Sequence, residues 1–160
     1  MNSRPCVRDL IEDELRFSAS IILSREEVVP RFRIEVPGEQ GFMLFVPLPD
    51  DPAQRHWRLG LVSAFMAWKG ADAFVMSSEL IEPDAALSVA VSRTEAIAAV
   101  RVIIRKPLGV GPVSYLSRSQ IGNEIPALLP AKSSRVSATT LKDLERVFGP
   151  QGEFKVERVQ

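Results

Sequence analysis

One cysteine, one histidine and one tyrosine are all that 160 residues hold of three side chains that carry much enzyme chemistry. With Cys6 alone no disulfide forms within the chain, which suits a reducing compartment. His56 and Cys6 together fall short of the donor set a zinc site draws from nitrogen and sulfur, so neither a metal nor a cofactor is expected. Long hydrophobic runs are missing too: nothing approaches the ~20 apolar residues of a membrane helix. Arg8, Asp9, Glu12, Asp13, Glu14 and Arg16 crowd the first helix-like segment with charge, which excludes a signal peptide's apolar core there. A cytoplasmic location is the expectation. An excess of one charge is also lacking. Lys plus Arg is 20 and Asp plus Glu is 20, so no global field draws nucleic acid or anionic lipid, and little repulsion opposes self-association.

What is present reads as one α+β domain over residues 1–160, with 108–160 either part of it or a C-terminal extension of it. Residues 4–24 read as a helix with Pro5 in its first turn. Val7, Leu10, Ile11, Leu15, Ser18 and Ile22 form one stripe, and Arg8, Glu12, Asp13 and Arg16 lie opposite. Arg31-Phe32-Arg33-Ile34-Glu35-Val36 alternates as a strand with one buried face. A turn at 38–41 and the apolar run Phe42-Met43-Leu44-Phe45-Val46 complete a hairpin whose second strand is expected to be buried on both faces. Asp50 or Asp51 can cap a second helix that starts near Pro52 and ends at Gly70.

Residues 71–80 follow as a third strand, Pro83-Asp84 as a turn, and 87–92 with 96–105 as a second hairpin. Residues 108–119 read as irregular chain or a short edge strand, and 125–129 as a helical turn. Residues 140–148 read as a short helix opened by Thr140-x-x-Asp143 and stopped by Gly149-Pro150, and 154–159 as a candidate last strand. The order helix, hairpin, helix, strand, hairpin predicts a mainly antiparallel sheet of about five strands packed by two longer helices. A crossover through the second helix would allow one parallel pair. The run Val46-Pro47-Leu48-Pro49-Asp50, a helix, then Phe74-Val75-Met76-Ser77-Ser78-Glu79 resembles small prokaryotic α+β proteins in general, with no family singled out and no function implied.

The second helix is apolar nearly all round between Trp57 and Trp68, so it needs cover on two sides. The sheet supplies one. The first helix or another subunit supplies the other, and Trp57, Met66 and Trp68 are the residues that suit a partner. The leading expectation is therefore a non-enzymatic interaction or assembly module that forms a homo-oligomer through this helix or a sheet edge. No catalytic constellation is evident. The alternative is a ligand binder or enzyme built on Ser77, Ser78 and Glu79, with Glu82, Asp84 and His56, at the end of the strand over 72–80. That segment lacks the Gly-x-Ser-x-Gly elbow of an exposed nucleophile. A second alternative is polyanion binding through the window 101–135. There Arg101, Arg105, Lys106, Arg118, Lys132 and Arg135 face a single acid, Glu124, although one aromatic, Tyr115, makes no stacking platform. Gly109-Val110-Gly111 lacks the remaining parts of a phosphate loop, and Cys6 in the first helical turn reads as passive.

Overall fold

The computed structural model describes residues 7–24, 26, 28–81 and 84–159. Cys6 and Pro5, expected in the first helical turn, lie outside them, as do Glu82 and Pro83. The described chain runs α1 (Val7–Leu23), β1 (Arg31–Glu35), β2 (Phe42–Phe45), α2 (Pro52–Lys69), β3 (Ala73–Leu80), β4 (Ala85–Ser92) and β5 (Ala96–Arg105). It continues as β6 (Leu108–Leu116), α3 (Arg118–Ile121), a 3-10 turn (Pro126–Leu128), α4 (Ala138–Phe148) and β7 (Lys155–Arg158).

The class is α+β, but the sheet holds seven strands rather than about five, in the order β6-β5-β4-β3-β1-β2-β7. Every pair is antiparallel. The two extra strands are its edges. In β6 the Gly, Pro and Ser content hides the strand pattern, yet an edge tolerates all three, because half of its backbone groups and most of its side chains need no burial. β7, at Lys155–Arg158, is the candidate last strand of 154–159, which the count of about five left out. The parallel pair is absent for a topological reason. The crossover through α2 carries the chain past β1, so β3 pairs with β1 and never touches β2.

The helix count also differs, with α4 spanning eleven residues and the four-residue α3 added. Ser137, not Thr140, caps α4: its side chain accepts from the Thr140 N–H, so the cap lies three residues earlier than the Thr140 box implies.

Alternation sorts side chains onto two cores. Phe32, Ile34, Leu44, Phe74, Met76, Val89 and Ala98 meet α2, α4 and the 3-10 turn on one face. Val75, Ala86, Ala90, Ala99 and Ile103 meet α1 on the other. Small alanines on the strands let α1 sit close over β3, β4 and β5. Its stripe of Leu10, Ile11, Leu15, Ala19 and Ile22 is fully buried there. The second strand is covered on one face only: Phe42 and Leu44 are buried, while Met43 and Phe45 stay half-exposed because α1 does not reach over β2.

Helix α2 starts where Asp51 Oδ2 accepts the Gln54 N–H at 3.0 Å, and it stops at Gly70, whose φ of 70° favours glycine. Beyond α4 the chain reverses in a turn closed by the Gly152 N–H to the Gly149 carbonyl at 2.8 Å. A Cβ on Gly152 would stand 2.1 Å from the Val147 carbonyl oxygen. Gly152→Ala is therefore expected to cost about 1–3 kcal/mol, the usual range for forced overpacking. Urea unfolding checks this, and a loss below ~0.5 kcal/mol, the scatter of neutral surface changes, would mean the turn simply yields.

Candidate functional site

The serine–carboxylate group does not converge. Ser77 is wholly buried on the α1 side of β3, where its hydroxyl lies 3.0 Å from Ser88 Oγ and 3.3 Å from Glu14 Oε2. Ser78 points to the opposite face, as its pairing with Leu87 requires. Glu79 returns to the α1 side and meets Arg105 Nη2 at 3.8 Å. Asp84 binds the same guanidinium through Arg105 Nη2 at 3.0 Å, and that hydrogen bond holds the Asp84 carboxyl below its usual range. His56 stands in the first turns of α2, exposed, beside Glu124. The Glu124 carboxyl is itself held low, first by its hydrogen bond from Arg55 (2.7 Å). Among the described residues no group of three or more His, Cys, Asp or Glu is placed to hold a metal ion.

What Ser77 joins instead is a buried polar seam that the sequence reading missed. Glu14 and Arg31 are 4 % and 3 % exposed, and Arg31 Nη2 comes within 2.7 Å of Glu14 Oε2. The contact is an ion pair lying off the hydrogen-bonding direction, and Arg31 Nε has no hydrogen-bond partner. Arg33 Nη1 adds a second positive charge 3.6 Å from Glu14 Oε1, and Arg33 Nε donates to Glu35 Oε1 at 2.8 Å. The Phe17 ring lies 3.9 Å from the Arg31 guanidinium and roofs it. Burial is the main influence on Arg31 and lowers its pKa; Glu14 opposes that fall. The seam is a sealed, charge-balanced joint between α1 and the sheet. The missed signal was Glu14, four residues after Leu10 and four before Ser18, on the apolar stripe itself.

An open cleft of about 730 Å³ lies between the start of α1 and the turns after β1 and β4. Two of its charged walls are committed to the scaffold: Arg93 donates to the carbonyls of Pro130 (2.8 Å) and Ala71 (3.0 Å), and Glu35 is taken by Arg33. Of the candidate site residues named from the sequence, Lys132 of the basic window alone lines it.

The basic window is scattered. Arg101 lies on the α1 side of β5, paired in register with Ala86. Arg105 is neutralised by Asp84 and Glu79. Lys106 sits in the turn before β6. Arg118 donates to Asn123 Oδ1 at 3.1 Å and to the Gly122 carbonyl. Arg135 donates to the carbonyls of Ser133 (3.2 Å) and Ser134 (3.1 Å).

On α2 the three expected contact residues separate. Met66 is wholly buried against the sheet and offers no outer surface. Trp57 and Trp68 emerge at the two ends, and the Lys69 ammonium lies 3.7 Å from the Trp68 ring. The second side of α2 is covered within the chain by α4 and the 3-10 turn, with the Ser63 hydroxyl donating to the Leu128 carbonyl at 2.7 Å. Helix α1, expected as one source of that cover, lies across the sheet.

Exposed apolar surface gathers elsewhere. Of ten large hydrophobic side chains exposed among the described residues, five belong to the β5–β6 hairpin: Ile104, Leu108, Val110, Val113 and Tyr115. Register with Ala99, Arg101, Ile103 and Arg105 puts the last four on the α1 side, in a row beyond the helix. Tyr115 is fixed there by the Arg8 guanidinium 4.8 Å above its ring and by a hydrogen bond from its hydroxyl to Glu12 at 3.3 Å. Among the described residues the outer side of β6 has no strand beside it. No charged residue occurs from Leu108 to Leu116, whereas the other edge, β7, is Lys-Val-Glu-Arg with Lys155 and Glu157 ion-paired at 2.7 Å. Comparison with protein-family models, with curated proteins and with solved structures finds no match for this chain.

Proposed function

We propose that this protein is a non-enzymatic assembly module whose copies associate through the outer edge of β6. One observation carries the reading: the two edges of a single sheet are built in opposite ways. A short edge bearing charges resists the addition of another strand, which is the usual protection of an open ladder. β7 follows that rule. β6 offers nine residues with no charge and a row of exposed apolar side chains. Surface of this kind marks a contact site. A second copy suits it because a two-fold axis sets each group near its own counterpart, and an uncharged strand meets itself without repulsion. The balanced net charge adds none. The single cysteine fits a cytoplasmic setting.

The serine–carboxylate alternative loses support because its groups occupy separate faces, and the polyanion alternative because Arg105, Arg118 and Arg135 are spent on local partners. Sedimentation over a concentration series is expected to show a reversible oligomer. Val113→Lys, which sets like charges across the contact, should weaken it by about tenfold or more while far-UV circular dichroism stays native, since Val113 is exposed. Trp57→Ala should leave association unchanged. A protein that stays monomeric throughout, or a Val113→Lys variant that associates normally, would overturn the reading.

A further inference from the structure

We infer that the second copy pairs antiparallel with β6 about a two-fold axis at Ser114, joining two seven-stranded sheets into one; this inference rests on the assembly reading above. The register of β6 limits where a ladder can form. Leu108–Val110 pair with Ile103–Arg105 and Val113–Leu116 with Ala98–Arg101, while Gly111 and Pro112 together face Val102 alone. This is a bulge, which bends the strand, and Pro112 has no N–H to donate. A straight outer ladder is therefore confined to residues 113–116.

Within it, backbone groups point alternately toward and away from the existing neighbour. Two copies related by a two-fold axis can match their outward groups only if some residue stands opposite its own counterpart. In this segment the central choices are Ser114 and Tyr115. Placing Tyr115 on the axis would bring the Arg8 that stacks on its ring toward the partner's Arg8, like charge against like. Placing Ser114 there sets a small hydroxyl residue at the axis and lays Val113 across from the partner's Tyr115, on the same side of the joined sheet. An aromatic against a β-branched side chain is a favourable cross-strand pair. Both are already exposed, and Tyr115 is already held in place by α1.

The test is disulfide capture in a Cys6→Ser background. Residues opposite each other on antiparallel strands have Cα separations that a disulfide can span. Under mild oxidation by diamide, Ser114→Cys is expected to form a covalent dimer at least about tenfold faster than Trp57→Cys, an equally accessible position outside the contact, because pairing raises its effective concentration. Val113→Cys mixed with Tyr115→Cys should cross-link more readily than either alone. Sedimentation of the reduced parent protein separates the two ideas. A reversible dimer whose Ser114→Cys form cross-links no faster than Trp57→Cys, or an oligomer that grows beyond two, overturns the Ser114 pairing and leaves self-association standing. A monomer overturns both and assigns the edge to a strand from a different protein.

Discussion

Glu14→Leu is expected to lower the unfolding free energy by about 3–5 kcal/mol, the cost of removing one partner from a buried ion pair. Arg31 is sealed beneath Phe17, with one carboxylate oxygen 2.7 Å away and its Nε already lacking a hydrogen bond. Without Glu14, two guanidinium groups, those of Arg31 and Arg33, share the seam with no buried anion, and Glu35 compensates only the second. The penalty is that of an uncompensated charge, not the worth of a contact, and a second substitution makes the distinction measurable. Glu14→Leu with Arg31→Met removes the stranded charge and is expected to recover most of the loss, as apolar replacement of whole buried pairs often does. Urea unfolding of both variants decides it. A single variant within ~1 kcal/mol of the parent, the worth of an exposed pair, would mean that water reaches the seam; a double variant no better than the single would place the cost in packing.

Phe65→Ala is expected to cost a comparable ~3–5 kcal/mol by cavity formation in the opposite core. Phe65 is 2 % exposed and is the ring on which three others converge: Phe42 and Phe148 at 5.2 Å and Trp68 at 5.7 Å, all edge to face. It therefore links β2, α2 and α4. Removing it leaves rings from separate elements that cannot close the gap together, so the loss should fall toward the upper end of the range, and calorimetry should show a matching drop in Tm. A cost below ~2 kcal/mol, the lower limit for large-to-small core changes, would show that α4 collapses into the space.

Much of this architecture was legible in local pattern. The stripe of Leu10, Ile11, Leu15 and Ile22, the alternation from Arg31 to Val36 and the Asp51-to-Gly70 frame of α2 each became the element they implied, because each had one dominant period or a clear cap. Edge strands were harder. β6 has no buried face to impose a period, and β7 gains its place only by meeting β2. Layering was not legible at all, since periodicity tells which face of α2 is apolar but not that α4 would cover it while α1 took the other side of the sheet. The proposed contact surface followed the same logic. Trp57, Met66 and Trp68 stood out by residue type, yet Met66 is core; the exposed row from Leu108 to Tyr115 read as either irregular chain or a short edge strand because glycine and proline interrupt it.

The pairing of β2 with β7 joins Phe42 to Arg158 and Leu44 to Val156, residues far apart in the sequence. On a ribosome the β1–β2 hairpin emerges early, and the strand that shields its flank is translated long afterwards. Contacts so distant in sequence are the slow ones to form. Until they do, Phe42 and Phe45 lie along an open flank, the kind of transient surface on which nascent chains aggregate. Truncation just before Lys155 would make that vulnerable interval permanent.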